Sequence, residues 1–222
     1  MKEKIYTIPI NEAFDENCNC PMCFIEKRLE NEAIEYELGP AMMEPDHREI
    51  TNSKGFCTKH WEMLYAIPQK LPLALVADTH LEEIRKKLKL LENTKTGGIF
   101  GKNKKSMTAD INSCAVCDKV DKTMERYCGV LIKMWNDDED FREKFQNSHG
   151  FCLKHFERLY SMSNNKKFTE ALVQKEEEEL EKLQADIHKF TLMFDYRSEG
   201  MEWGTAKDAP IRCIEKLAGY IK

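Results

Sequence analysis

No run of about 18 apolar residues occurs in this 222-residue chain, so no segment of it reads as a membrane-spanning helix. The opening stretch MKEKIYTIPINEAFDENCNC lacks the apolar core and small-residue cleavage site of a secretory leader, which predicts a cytoplasmic location. Positive charge is not in excess either. Thirty-four Lys and Arg against 39 Asp and Glu give a net charge of −5, which argues against a generic nucleic-acid or polyphosphate binder. Alternation of apolar and polar residues with period two is nowhere sustained, so no sheet is expected and the predicted fold is all-α. No recognisable nucleophile–base motif is present, so an enzyme is not favoured and catalytic residues stay unassigned.

Cysteine, by contrast, is abundant. Nine cysteines in a chain expected in a reducing compartment point to metal ligation rather than structural disulfides, and an odd number leaves at least one unpaired. Their placement follows an internal repeat. Cys20-Pro21-Met22-Cys23 aligns with Cys114-Ala115-Val116-Cys117, and GFCTKHWEMLY, starting at Gly55, aligns with GFCLKHFERLY, starting at Gly150. Between these anchors Asp46-His47-Arg48-Glu49 faces Asp140-Phe141-Arg142-Glu143, and beyond them Ala74-Leu75-Val76 faces Ala171-Leu172-Val173. The second cysteine precedes the third by 34 residues in one half and 35 in the other. The expected organisation is a first CxxC…CxxH helical repeat over 1–95, a linker over 96–109 rich in glycine and lysine, a second repeat over 110–190, and a C-terminal tail over 191–222 that docks on the repeats. Lys102, Lys104 and Lys105 read as part of the solvated linker.

Helical periodicity places each CxxC at a helix start. Ile25, Leu29, Ala33 and Tyr36 form one apolar stripe, and Val120, Met124, Tyr127, Leu131 and Met134 form its counterpart. GFC precedes a further helix, with Gly55 and Gly150 suited to a turn. Each repeat closes on a long amphipathic helix, striped by Leu81, Ile84, Leu88 and Leu91 or by Leu180, Leu183, Ile187 and Phe190. These stripes are expected to pack within the chain, with a homodimer seam as the alternative. The acidic run Glu176-Glu177-Glu178-Glu179 reads as a solvated helix face.

The eight repeated residues have the chemistry of two closed tetrahedral sites. A CxxC turn brings two sulfurs to one ion, and Cys and His at i and i+3 share a helix face. Pairing within each repeat gives Cys20, Cys23, Cys57 and His60 for one site and Cys114, Cys117, Cys152 and His155 for the other. Four protein ligands leave no position for substrate, so two structural zinc ions are the expected cofactors. An iron–sulfur cluster and redox-active thiols are the alternatives. Each dication held by three thiolates carries about −1, so two loaded sites move the net charge from −5 to about −7. A structural zinc contributes on the order of 10 kcal/mol to the folding of a small domain, so loss of a ligand is expected to unfold a repeat.

Residues without a repeated partner are left out of the ligand set. Cys18 aligns with Asn112 and Cys128 with Ile34, while Cys213 lies outside both repeats. Cys128 and Cys213 read as core residues. His47, His80, His149 and His188 likewise read as ordinary surface or core histidines. In the tail, Asp195, Tyr196, Arg197, Trp203, Lys207, Asp208 and Arg212 combine charge with aromatic faces. Asp195, Arg197 and Asp208 are the candidates if the chain is an enzyme.

With CPxC at Cys20, the stretch Met43-Glu44-Pro45-Asp46 and two GFCxxH motifs, the chain resembles an uncharacterised bacterial family of unknown function found in anaerobic Firmicutes. The resemblance extends over nearly the whole chain and implies cytoplasmic metal binding without an activity. The functional expectation is a helical scaffold with two structural zinc sites that acts by binding another protein. An iron–sulfur protein in electron transfer or redox sensing is the alternative, and an enzyme with its site in the tail or between the repeats is the third reading. A protein partner and a possible homodimer are expected; nucleic acid and membrane are not.

Overall fold

The structure, a computed structural model, describes residues 2–93, 113–196 and 200–220. Among them only helices and their connections occur. They are α1 (Lys2–Asp15), α2 (Pro21–Glu37), a 3₁₀ turn (Pro40–Met43), α3 (Pro45–Lys54), α4 (Thr58–Ala66) and α5 (Lys70–Asn93). The second half continues with α6 (Ala115–Asp137), α7 (Glu139–Asn147), α8 (Leu153–Met162), α9 (Lys166–Leu192), a 3₁₀ turn (Gly204–Ala206) and α10 (Ala209–Ala218). The fold is all-α, and the order α2–α5 recurs as α6–α9. The linker 96–109, the side chain of Leu91 and Arg197 lie outside the described residues.

Local chemistry explains where the helices begin and end. Asp138 caps α7 by accepting from the amides of Asp140 and Phe141, and Asn165 caps α9 through those of Lys167 and Phe168. Pro45 and Pro210 stand in the first turns of α3 and α10, where a missing N–H costs nothing. Gly55 ends α3 at φ 64° and Gly150 follows α7 at φ 72°, a conformation that disfavours any side chain. A β-carbon at Gly55 would stand 2.6 Å from the His80 ring, and one at Gly150 would stand 2.8 Å from Glu176 Oε2.

The chain forms two compact units, one of residues 1–27 with 124–222 and the other of residues 28–123. Their limits fall inside α2 and α6, so each unit takes residues from both halves of the sequence. The first unit is built on aromatics. Phe141, Phe145, Phe151 and Phe168 are fully buried together with Leu131, Leu159 and Leu172. Phe14 meets Phe141 edge-on with centroids 4.9 Å apart, and Trp135 meets Phe168 at 5.4 Å. Such pairs add about 0.5–1.5 kcal/mol beyond their burial. Cys128 is fully buried here, as expected of a core residue, and burial pushes its thiol up to about 11. In the second unit α3 and α4 pack on α5, around Ile34, Phe56, Leu64, Val76 and Val120.

The stripes of α2 and α6 face the cores, with Ile25, Ala33, Val120, Met124, Leu131 and Met134 buried. Those of the long closing helices follow expectation only in part: Leu183 is buried and Phe190 packs on Trp203 at 5.4 Å, but other positions face outward. Leu81 is 60% and Leu88 47% exposed, so the distal part of α5 carries its apolar face outward. In α9 the interior includes Lys175, Glu176 and Glu179 while Leu180 is exposed. The acidic run is therefore not a uniformly solvated face: Glu176 is only 4% exposed and pairs with Lys216 of α10 at 2.8 Å. The reason is tertiary. Helix α10 turns its charged face inward, with Arg212 bridging Asp186 at 2.7 Å and Asp208 at 2.9 Å, and leaves Ile211, Ile214 and Leu217 exposed.

Candidate metal centres

All eight repeated residues gather into two four-residue clusters, but not in the grouping that the repeats suggest. Centre 1 consists of Cys20, Cys23, Cys152 and His155; centre 2 consists of Cys57, His60, Cys114 and Cys117. Each CxxC meets the CxxH of the other half of the sequence. The within-repeat grouping is corrected by the lengths of the helices that separate the motifs. Helix α2 has 17 residues, and the 14 beyond Cys23 lead the chain about 21 Å from it at 1.5 Å per residue. Even run straight back, the 10 residues of α3 would recover about 15 Å. In the second half the mismatch is larger, because α6 has 23 residues and α7 only 9.

In centre 2 the crossing is held by backbone as well as ligands. The amide of Ala115 donates to the Gly55 carbonyl at 3.0 Å, Ser113 Oγ donates to the Lys54 carbonyl at 2.9 Å, and Lys54 pairs with Asp118. The turn of one GFC motif is thus bonded to the start of the opposite CxxC helix. Two helix N-termini converge at each centre, α2 and α8 at the first and α4 and α6 at the second. Cys57 and Cys152 are themselves the N-caps of α4 and α8, at nearly the same dihedral angles. The positive ends of the helix dipoles there favour thiolate over thiol.

Within each cluster the donors stand at the corners of a small tetrahedron. In centre 1 Cys23 Sγ lies 3.5 Å from Cys152 Sγ, and His155 Nδ1 lies 3.6, 3.4 and 3.3 Å from the sulfurs of Cys20, Cys23 and Cys152. In centre 2 Cys57 Sγ lies 3.8 Å from Cys117 Sγ, and His60 Nδ1 lies 3.2, 3.2 and 3.4 Å from the sulfurs of Cys57, Cys114 and Cys117. Bond lengths of about 2.3 Å to sulfur and 2.0–2.1 Å to nitrogen require edges of about 3.8 Å between sulfurs and about 3.6 Å between sulfur and nitrogen. The amides of Cys23 and Cys117 each donate at 3.4 Å to the first sulfur of their own CxxC, which fixes the turn.

The crowding of the thiols has an electrostatic consequence. In centre 1 hydrogen bonding with Cys152, together with burial, pushes Cys23 up to about 12 against the opposing bond from Cys20, while Cys152 is driven far down by its bonds from Cys20 and Cys23. In centre 2 burial works against ionisation of Cys114, but the His60 imidazole prevails and holds that thiol near 6; burial and the neighbouring Cys114 push Cys117 up. Centre 1 thus accommodates a thiolate at Cys152 and resists one at Cys20 and Cys23, and centre 2 accommodates one at Cys114 and resists one at Cys117, since like charges at this spacing repel. A bound dication removes that resistance. Two Cys3His clusters able to hold metal ions are therefore the chemistry of the site.

Both imidazoles use Nδ1 toward the sulfurs and direct Nε2 at a carboxylate. His155 Nε2 lies 3.5 Å from Glu26, and His60 Nε2 lies 3.5 Å from Glu30. Lys154 holds Glu26 at 2.6 Å, and Lys59 holds Glu30. The repeated lysine of GFCxKH thus clamps the carboxylate that faces the histidine beside it. Despite burial, which opposes ionisation, His60 and Lys59 hold the Glu30 carboxyl down at about 2. Such an outer carboxylate fixes the tautomer and orientation of a metal-bound imidazole. Sequence reasoning missed both glutamates because they lie on α2 and have no duplicated counterpart; the doubled lysine was the available signal.

The residues set aside behave as ordinary side chains. His47 contacts the buried Glu37 at 2.8 Å, His80 Nδ1 meets the Asn52 carbonyl at 2.8 Å, and His188 is exposed. Cys18 directs its thiol to the Ala13 carbonyl, and Cys213 is half-buried on α10. Of the tail candidates, Asp208 is paired with Arg212, and Arg212 borders a cavity of about 440 Å³ with Asp186, Thr205, Lys182 and Glu179. No described helix is long and apolar enough to cross a membrane.

An all-helical chain with two crossed Cys3His clusters defines a class of candidate metalloprotein. By its sequence this chain belongs to a family of unknown function (DUF6062), whose family model matches residues 1–222. No curated protein and no solved structure matches it.

Proposed function

We propose that the protein is a cytoplasmic helical scaffold that holds two structural zinc ions and acts by binding another protein. The observation that carries the zinc reading is the size of the clusters, since all four donor atoms in each lie within 4.8 Å of one another, the span of one tetrahedral ion. A multinuclear iron–sulfur cluster attaches its ligands to different irons and needs them farther apart, which makes it the second reading. With four protein donors each ion lacks an open coordination position, so its role is to hold helices together rather than to activate water.

Binding to a protein partner is supported by two separate apolar surfaces, one on α10 with Ile211, Ile214 and Leu217 exposed and one on the distal part of α5 with Leu81 and Leu88 exposed. The net charge of −5 supports a protein partner over nucleic acid. An enzymatic role for the tail is weaker, because Asp208 is engaged in an ion pair. The test is elemental analysis with an absorption spectrum of anaerobically prepared protein. Two equivalents of zinc and no visible absorption are expected; iron with charge-transfer bands would overturn the zinc reading. Unchanged capture of every partner by a variant carrying alanine at Leu81, Leu88, Ile211, Ile214 and Leu217 would refute the interaction role.

A further inference from the structure

The two centres are not equally enclosed. All four residues of centre 1 are buried, whereas Cys57 and Cys117 of centre 2 are partly exposed. Centre 1 is also crossed by the C-terminal segment. Gly219 follows α10 at φ 90°, and a β-carbon there would lie 3.8 Å from Cys23 Sγ and 3.9 Å from Cys152 Sγ. Tyr220 follows directly after Gly219, and Lys27 caps the Tyr220 ring at 3.8 Å.

Further along the same helix, side chains hold both ligand arms. Lys216 Nζ donates to the carbonyls of His149 and Phe151 at 3.0 and 2.9 Å, on either side of the Gly150 turn that delivers Cys152. Its partner Glu176 accepts from the Phe151 amide at 3.0 Å. Glu215 accepts at 2.5 Å from Asn19, the neighbour of Cys20. At centre 2 the amide of Ala115 ties the CxxC helix to the GFC turn. The corresponding residue at centre 1 is Pro21, which has no N–H to give. At centre 1, α10 carries that connection.

We propose that the segment 209–220 is a lock on centre 1, so that the two ions exchange at different rates. The ion at Cys57, His60, Cys114 and Cys117 is the exchangeable one, open to chelators and thiolate acceptors, and the ion at Cys20, Cys23, Cys152 and His155 is retained. This rests on the two-ion reading above. Associative exchange needs a competing ligand to reach the ion between its sulfurs, and over centre 1 that approach requires Gly219 and Tyr220 to lift.

The experiment uses the full chain loaded with two equivalents of zinc and challenged with excess EDTA, with a colorimetric indicator following release. Two phases of one equivalent each are expected, their rates separated by at least about tenfold, the factor that one net hydrogen bond supplies. Iodoacetamide pulses with peptide mapping should assign the fast phase to Cys57, Cys114 and Cys117. The double variant Lys216→Met/Glu176→Gln, which leaves no lone buried charge, should quicken only the slow phase, by about tenfold. Gly219→Ala, which strains the strap without altering charge, should act in the same direction and serves if the double variant does not fold. A single release phase, a fast phase mapping to Cys20, Cys23 and Cys152, or a slow phase unchanged in Gly219→Ala would each overturn the lock. A metal content other than two ions per chain would instead overturn the two-ion reading.

Discussion

Replacing Cys57 by serine separates crossed from within-repeat pairing. Serine is a better N-cap than cysteine, so α4 keeps its start and the perturbation is confined to centre 2. The variant should bind one ion instead of two. The ion at centre 2 joins His60 to Cys114 across 54 residues, and the chain-entropy estimate for a cross-link over that loop is about 4 kcal/mol. Centre 1, which joins Cys23 to Cys152 across 129 residues, is worth about 5 kcal/mol by the same relation. Urea unfolding of the metal-saturated proteins should therefore show Cys57→Ser about 4 kcal/mol less stable than the parent. Thiol mapping under native conditions gives the sharper answer. Cys114 and Cys117 should become reactive, although they lie in the other half of the sequence, while Cys20 and Cys23 stay protected. Cys152→Ser should do the reverse. If Cys57→Ser exposes Cys20 and Cys23 instead, the crossed arrangement is wrong.

Two further outcomes follow from the groups around the centres. Glu30→Gln should weaken zinc binding at centre 2 by about 10–100-fold, and Glu26→Gln should do the same at centre 1; chelator competition that found both affinities unchanged would remove the carboxylates from the metal site. Glu179 gives a pH signature: although burial opposes its ionisation, Lys175 and Lys182 hold its carboxyl at about 2, below the usual 4.5. A depressed folded value contributes stability that is full above 4.5 and vanishes as pH falls through 2. The stability difference between the parent and Glu179→Gln, measured with metal content matched, should shrink over that interval; a pH-independent difference would contradict the ion pairs.

The identities of the eight clustered residues were legible because each belongs to a duplicated motif with nearly equal spacers, and the helices were legible from the apolar period of Ile25–Tyr36 and Val120–Met134. The pairing was not, since CxxC with CxxH makes the same Cys3His set whichever half supplies each piece. Only the lengths of α2 and α6 distinguish the solutions, and these required multiplying residues by helical rise. Glu176 and Glu179 were misread for a related reason. Composition over four residues cannot register Lys216, which arrives from α10 to pair with Glu176, or the burial of Glu179 between Lys175 and Lys182 of its own helix. Helix α1 carries no motif, and its buried residues Ile10 and Ala13 stand beside exposed Ile5 and Ile8, so its pattern gave little signal.

The length of α2 also governs how the chain reaches its final pairing. The first half alone holds a CxxC and a CxxH, which chemically would satisfy one ion, and a flexible connection of 34 residues would let them close on it at modest entropic cost. Helix α2 resists that closure because it keeps Cys23 and Cys57 apart for as long as it remains helical. Centre 2 has its last ligand at Cys117 and can form before the second half is complete. Centre 1 needs His155 for its ligand set and Gly219 for its strap, so in chain order it follows centre 2. The substitution Asn31→Pro, at an exposed position inside α2, would break the spacer at a cost of about 3 kcal/mol. With that spacer broken, the two motifs of the first half could share one ion and leave Cys114 and Cys117 without their partners. Thiol mapping of the variant refolded with zinc should then find Cys114 and Cys117 reactive; their full protection would mean that the length of α2 does not set the pairing.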